Sequence, residues 1–160
     1  GAGPGIMEAG MVGAGREMSI GVSIRMPFET GANPIIADDK KYVSMRYFFT
    51  RKLMLVKYSY AFVILPGGFG TMDELFEALT LIQTRKIRNF PVVLFGSDYW
   101  TGLLEWVRAT MLQKEKISPE DLDLLMVSDS VEARRWSKSC RRCRLWPREC
   151  ERLARCMTWR

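Results

Sequence analysis

The sequence predicts an α/β fold in which short parallel strands alternate with helices. Three observations predict it. Short, continuously apolar runs recur, the clearest being Tyr60-Ala61-Phe62-Val63-Ile64-Leu65 and Pro91-Val92-Val93-Leu94-Phe95; unbroken apolarity is what a strand covered on both faces requires. Longer stretches between them carry apolar residues at helical spacing. Glycine-rich turns stand where a strand hands the chain to a helix. Strands alternating with helices in this way make βαβ units and a parallel sheet.

The chain opens on Gly1-Ala2-Gly3-Pro4-Gly5, a turn that runs into the helix-compatible Ile6-Met7-Glu8-Ala9. Met18 to Ile24 is short and β-branched and reads as a buried strand. Arg25 to Asp39, with two prolines and Gly/Asn turn residues, reads as a loop. Tyr42 to Tyr47 is a short strand. Phe48 to Lys57 is a helix with Phe49, Leu53 and Val56 as its apolar stripe. The strand Tyr60–Leu65 feeds a glycine turn and a helix from about Met72 to Gln83, whose buried stripe is Leu75, Ala78, Leu79 and Ile82. After the strand Pro91–Phe95, Asp98 to Lys116 is helical, with Leu103, Trp106, Val107 and Met111 facing in. Ser118-Pro119-Glu120-Asp121 is a helix start, Ser as cap and Pro in the first turn. Leu124 to Val127 is the last strand.

Composition narrows the chemistry. The 160 residues suit one domain, and 48% hydrophobic content suits a packed core. There is no histidine, which removes His triads, His metal sites and imidazole proton shuttles. Acid–base work must fall to carboxylates, Lys, Tyr or Cys. The net charge of +6 is confined to one end. Arg134 to Arg160 holds ten basic residues against two acids, a net +8, and the remainder holds 14 against 16, a net −2. The main part is therefore not a polyanion-binding surface, and nucleic acid is not an expected partner. No apolar run approaches the ~18 residues of a membrane span, and no signal-peptide pattern opens the chain, so a soluble cytoplasmic domain is expected.

The segment that carries chemistry is Leu65-Pro66-Gly67-Gly68-Phe69-Gly70-Thr71-Met72-Asp73-Glu74. Three glycines remove the Cβ atoms that would block approach to the backbone. The amides of Gly70 and Thr71 are then expected to point outward at a helix N-terminus, where phosphate binds at the carboxyl ends of strands in doubly wound sheets. No Lys-Ser or Lys-Thr follows, so this is not a P-loop, and the spacing is not GxGxxG. A monophosphate ligand suits it better than ATP or NAD. On spacing alone, Thr71 and Glu74 read as a capping box, Thr71 as N-cap and Glu74 at N3. The opposing argument is that a carboxylate beside an anion repels it unless it does chemistry there. Arg51 on its own reads as a solvated helix cation.

Pro66-Gly67-Gly68-Phe69-Gly70-Thr71-Met72-Asp73-Glu74 matches the PGGxGTxxE signature of the Lonely Guy (LOG) family. Phe49-Thr50-Arg51-Lys52 resembles that family's Arg-Lys motif, and Gly1 to Ala9, GAGPGIMEA, is similar to its first glycine loop, GGGPGIMEA. The resemblance runs to about Ser130. It implies a three-layer, Rossmann-like α/β domain and hydrolysis of the N-glycosidic bond of a nucleoside 5′-monophosphate, a cytokinin riboside monophosphate or AMP, as in cytokinin biosynthesis. By resemblance the catalytic pair is Arg51 and Glu74. Gly67, Gly68, Gly70 and Thr71, with Gly3 and Gly5 of the first loop, would hold the phosphate ester. Lys52 and Thr80 match positions that line the family's pocket, although Thr80 also reads as a helix-surface threonine. The resemblance implies a homodimer, no cofactor and no metal. Members have been labelled lysine decarboxylases, but a pyridoxal enzyme needs a Schiff-base lysine with a partner for the ring nitrogen, and Lys52 is the only lysine near a motif. The alternative from the same superfamily is a non-catalytic phosphate-ligand binder such as a molybdenum-cofactor carrier.

Two departures from the family pattern set further expectations. The β-α-β unit that normally precedes the first glycine loop is absent, so residues 1–133 read as an N-terminally incomplete domain; the 160-residue chain is expected to be marginally stable, with its activity alone left open. The stretch from Gly10 to Met18 is also shorter than the family's helix. The tail, residues 134–160, holds all four cysteines and three of five tryptophans. Cys140, Cys143, Cys150 and Cys156 allow a zinc site, the arginines allow a basic arm, and the composition also fits a non-native end such as a shifted reading frame, which is the preferred reading.

Overall fold

The computed structural model describes residues 1–27 and 31–130; the readings of the tail and its cysteines lie outside the described residues. The element order is α1 (Ile6–Ala14), β1 (Gly21–Ile24), β2 (Tyr42–Met45), α2 (Phe48–Tyr58), β3 (Phe62–Ile64), α3 (Phe69–Gln83), β4 (Val92–Phe95), α4 (Ser97–Trp106) and β5 (Leu125–Ser128). Among the described residues every strand pairing is parallel, consistent with the three-layer, Rossmann-like α/β class. Among the described residues no helix is long and apolar enough to cross a membrane. The strands fall into two sheets, β1-β2 and β3-β4-β5, and the chain divides into two units, the first Gly1–Ser59 and the second beginning at Tyr60.

In the first unit, Gly5 caps α1 at φ 70 and Gly15 ends it at φ 77. Both angles lie in the left-handed region that glycine enters without steric cost. β1 and β2 pair with Gly21 opposite Tyr42 and Ser23 opposite Ser44. Ala2, Met11 and Ile36 form a small core. The expected stripe on α2 is helical but not buried: Phe49 and Leu53 are 65% and 57% exposed, and no residue of α2 is fully buried. Periodicity fixes which side chains share a face and says nothing of whether anything covers it.

Asp39 clamps this unit. Its carboxylate accepts from Arg16 Nε at 2.9 Å and from Lys41 Nζ and the Lys41 amide, each at 2.9 Å. The ammonium of Lys41 first, then its amide, with Arg16 adding to them, hold the Asp39 carboxyl at about 2 against an ordinary 3.8. A carboxylate whose folded pKa lies below its unfolded value contributes stability above the unfolded pKa and loses it as pH falls through the folded one. The contribution should therefore be whole above roughly pH 4 and fade towards pH 2. Asp39→Asn should be less stable at neutral pH and lose less than the parent over that acid window. Urea melts at stepped pH check this, and parallel stability curves for the two proteins would refute it.

In the second unit, β3, β4 and β5 lie side by side in sequence order, with Val93 opposite both Val63 and Met126. One core joins Ile64, Val92 and Leu94 of the strands to Leu75, Ala78 and Ile82 of α3 and to Trp100 and Leu104 of α4. The α3 stripe is thus the predicted one, Leu79 packing at its edge. The α4 face is partly the predicted one. Val107 is buried and Leu103 packs against the core, with Trp100 and Leu104 buried beside them, whereas Trp106 is 51% exposed, and the helix widens into a π-helical turn over Val107–Leu112. Leu103/Leu104 and Trp100/Trp106 offer two apolar registers, and packing on the sheet selects one. Ser118 caps a short 3₁₀ turn, Pro119–Leu124, its amide donating to Asp121 at 2.9 Å.

Candidate active site

The second unit carries the long glycine motif at the carboxyl end of β3. α3 begins at Phe69 with Gly68 as N-cap, three residues earlier than the capping-box reading places it. Thr71 is therefore the third helical residue and Glu74 the sixth, and the pair is not a capping box. The Thr71 amide donates to Gly68 O at 3.0 Å, which corrects the expectation that it points outward. The outward amides are those of Phe69 and Gly70, which at the first two helical positions have no carbonyl four residues back. Among the described residues this end shows no side-chain cap hydrogen bond from its N-cap position.

Thr71 turns its side chain back over the loop instead. A Cβ at Gly67 would collide with Thr71 Oγ1 and lie 2.9 Å from its Cβ, so only glycine fits at 67. Gly68 and Gly70 face open space, and Phe69 between them is 96% exposed. Glu74 is half-buried. It follows Thr71 by three positions, which puts both on one side of the helix within a turn of each other. Gly67, Gly68, Gly70, Thr71 and Glu74 thus share one loop and the first two turns of α3. Thr80, six residues beyond Glu74 on the same helix, is exposed and donates its hydroxyl to Phe76 O at 2.7 Å.

The neighbouring β4–α4 turn is built differently. Asp129, just past β5, accepts from the Ser97 amide and the Ser97 hydroxyl at 2.7 Å each. These two donors, the amide foremost, hold the Asp129 carboxyl below its ordinary value. The N-terminus of α4 is therefore already occupied by a carboxylate of this chain, while α3 opens on bare glycines. Tyr99 bridges the two turns by donating its hydroxyl to Gly67 O.

In the first unit, Gly3 is buried and Gly5 exposed on the loop entering α1. Asn33, 4% exposed, fastens this loop. Its Nδ2 donates to Gly3 O at 3.1 Å and its amide to Ala2 O at 2.8 Å. Sequence reasoning gave Asn33 only a turn role; its place within a Gly-Ala-Asn-Pro run hid a buried side chain. Arg51 and Lys52, half-buried on the first turn and a half of α2, belong to this unit. A Cβ at Gly1 would come within 3.7 Å of Arg51 Nη2, so the guanidinium lies along the first glycine loop.

A family model described as "Possible lysine decarboxylase" matches residues 5–135. Curated relatives include the cytokinin riboside 5′-monophosphate phosphoribohydrolase LOG3 of Arabidopsis thaliana, 36% identical over 83 residues, which are 51% of this chain and 38% of that protein. The cytokinin riboside 5′-monophosphate phosphoribohydrolase of Mycobacterium tuberculosis is 35% identical over 85 residues, 51% of this chain and 43% of that protein. The match therefore spans about two fifths of the length of these relatives. With the family model covering most of the chain and both glycine motifs in order, the chain belongs to the LOG family.

Proposed function

We propose that this chain carries the phosphate- and ribose-binding part of a nucleotide N-glycosidase, which cleaves a nucleoside 5′-monophosphate to a base and ribose 5-phosphate. One observation carries the reading. Of the two helices that follow β3 and β4, α4 has its N-terminus filled by Asp129, while α3 begins at Phe69 behind Gly67 and Gly68, with Gly70 in its first turn and a carboxylate, Glu74, one turn beyond Gly70. The uncapped amides suit an external anion. The transition state of glycosidic cleavage resembles an oxocarbenium ion. In this reading Glu74 stabilises that cation and polarises the attacking water. Thr71 and the loop glycines hold the 5′-phosphate, a role that the motif resemblance gives to Gly3 and Gly5 as well. Arg51 clamps phosphate or ribose oxygens through its donor fork. Lys52 and Thr80 line the nucleotide pocket.

The substrate proposed is a cytokinin riboside monophosphate or AMP, the former being what the relatives' names state for them. Those names also favour hydrolysis over a carrier that binds without cleaving. A homodimer is proposed with it: the exposed Phe48, Phe49 and Leu53 of α2 form apolar surface of the kind subunit contacts cover. The test is incubation of the full chain with AMP and with a cytokinin riboside monophosphate, following free base by chromatography and particle mass by sedimentation. Free base and ribose 5-phosphate in equal amounts from a dimer is the expected result. Binding of ribose 5-phosphate without base release would favour the carrier, and a monomer mass at every concentration would remove the dimer.

A further inference from the structure

The peptide between Gly67 and Gly68 is the least self-restrained in the second unit's site. Glycine stands on both sides, so neither residue has a Cβ to confine its dihedral angles. A trans peptide holds its C=O and N–H pointing in opposite directions. Whatever fixes the Gly67 carbonyl therefore also fixes where the Gly68 amide points. The structure supplies that restraint from another loop: Tyr99 Oη donates to Gly67 O.

Tyr99 is itself well anchored. Its ring meets Trp100 edge to face, with centroids 4.8 Å apart and planes at 85°. Trp100 is fully buried, and its Nε1 donates to Phe95 O at 3.0 Å. The turn before Tyr99 rests on the same loop. Gly96, at φ 93, would place a Cβ 3.5 Å from Pro66 Cγ. The chain from buried core to glycine loop is thus continuous: Phe95 carbonyl, Trp100 indole, Tyr99 ring, Tyr99 hydroxyl, Gly67 carbonyl. On the other side Thr71 closes over the Gly67 α-carbon. Among the described residues nothing accepts from the Gly68 amide.

We infer that Tyr99 is a positioning residue, whose hydroxyl locks the Gly67–Gly68 peptide so that the Gly68 amide joins those of Phe69 and Gly70 in facing the phosphate ester. It touches no substrate atom and acts through Gly67. The inference rests on the phosphate-binding part of the function proposed above, not on the cleavage step. Without the hydroxyl the diglycine peptide can rotate, and the ligand must then select the competent orientation from several, which weakens binding without altering the chemistry.

The test is Tyr99→Phe in the full chain, which keeps the ring and its contact with Trp100. The Kd of ribose 5-phosphate, read by calorimetry, should rise about tenfold, the scale of one hydrogen bond. The KM of AMP should rise in parallel, with kcat within about twofold of the parent. In ¹⁵N–¹H spectra the shift of the Gly68 amide on adding ribose 5-phosphate should shrink in the variant. Ser97→Ala, which removes a bond on the same turn without touching Gly67, should leave Kd unchanged. An unchanged Kd and an unchanged Gly68 shift in Tyr99→Phe would overturn the inference, even with a lowered melting temperature, because a purely structural bond gives that pattern. Equal losses in Tyr99→Phe and Ser97→Ala would overturn it too. If the parent binds ribose 5-phosphate but releases no base from AMP, the hydrolase reading falls, while the tenfold difference in Kd still supports the role of Tyr99.

Discussion

Glu74→Gln is expected to lower kcat for base release by about 10²–10⁴-fold, while the Kd of ribose 5-phosphate stays within about twofold. Glutamine keeps the shape and a carbonyl oxygen and removes only the charge. An oxocarbenium-like transition state needs that charge, and the bound phosphate ester does not. The competing account is helix electrostatics. Asp73 and Glu74 are the fifth and sixth residues of α3, just past the first turn, where the helix dipole stabilises an acid by at most roughly 0.3–1 kcal/mol. On that account alone Glu74→Gln would cost a fraction of a kcal/mol in stability and nothing in rate. Asp73→Asn separates the two. Asp73 is exposed, one position round the helix, and has no role in the proposed chemistry. Its variant should therefore share any stability effect and keep full kcat. Single-turnover kinetics on both variants reads the difference directly, and a Glu74→Gln protein with parental kcat would remove the carboxylate from the mechanism.

Trp100→Ala should destabilise the second unit by about 3–5 kcal/mol, the range for a buried aromatic truncated in a core. Trp100 is 0% exposed. It packs in one cluster with Ile64, Leu75, Ala78, Ile82, Phe90, Val92, Leu94 and Leu104, so both helices and two strands would border the cavity. The change also removes the indole donor from the part-buried Phe95 carbonyl, and a hydrogen bond lost there adds about 0.5–1.5 kcal/mol. Denaturant titration should show a lower midpoint at an unchanged slope. Because the Tyr99 ring leans on Trp100, ribose 5-phosphate affinity should fall as well, even at temperatures where the variant remains folded. Loss of stability below about 1 kcal/mol would mean that the core closes around the gap, which a site this well enclosed should not permit.

The strands were legible because buried parallel strands are written as unbroken apolar runs, and Val92-Val93-Leu94 is buried at every position. The α3 stripe was legible because Leu75, Ala78 and Ile82 have no rival face. α4 was legible only in part, since leucines at 103 and 104 and tryptophans at 100 and 106 make either of two faces apolar. The start of α3 was misplaced for a related reason. Thr71-x-x-Glu74 has capping-box spacing, but the glycines before it accept helical geometry as readily as a turn, and Gly68 becomes the cap.

What the residues alone determined is the α/β order of elements, the glycine motifs at strand ends, and the absence of histidine, which leaves any acid–base work to carboxylates, Lys, Tyr or Cys. These are local properties: periodicity, missing Cβ atoms and functional groups are present in the chain before it folds. The tertiary structure alone decided that Asn33 ties down the first glycine loop and that Asp129 fills the N-terminus of α4. It also decided that Tyr99 reaches across 32 residues to hold Gly67. Each of these is a hydrogen bond between groups distant in sequence, and such a bond has no signature in either segment until packing brings its donor and acceptor within about 3 Å.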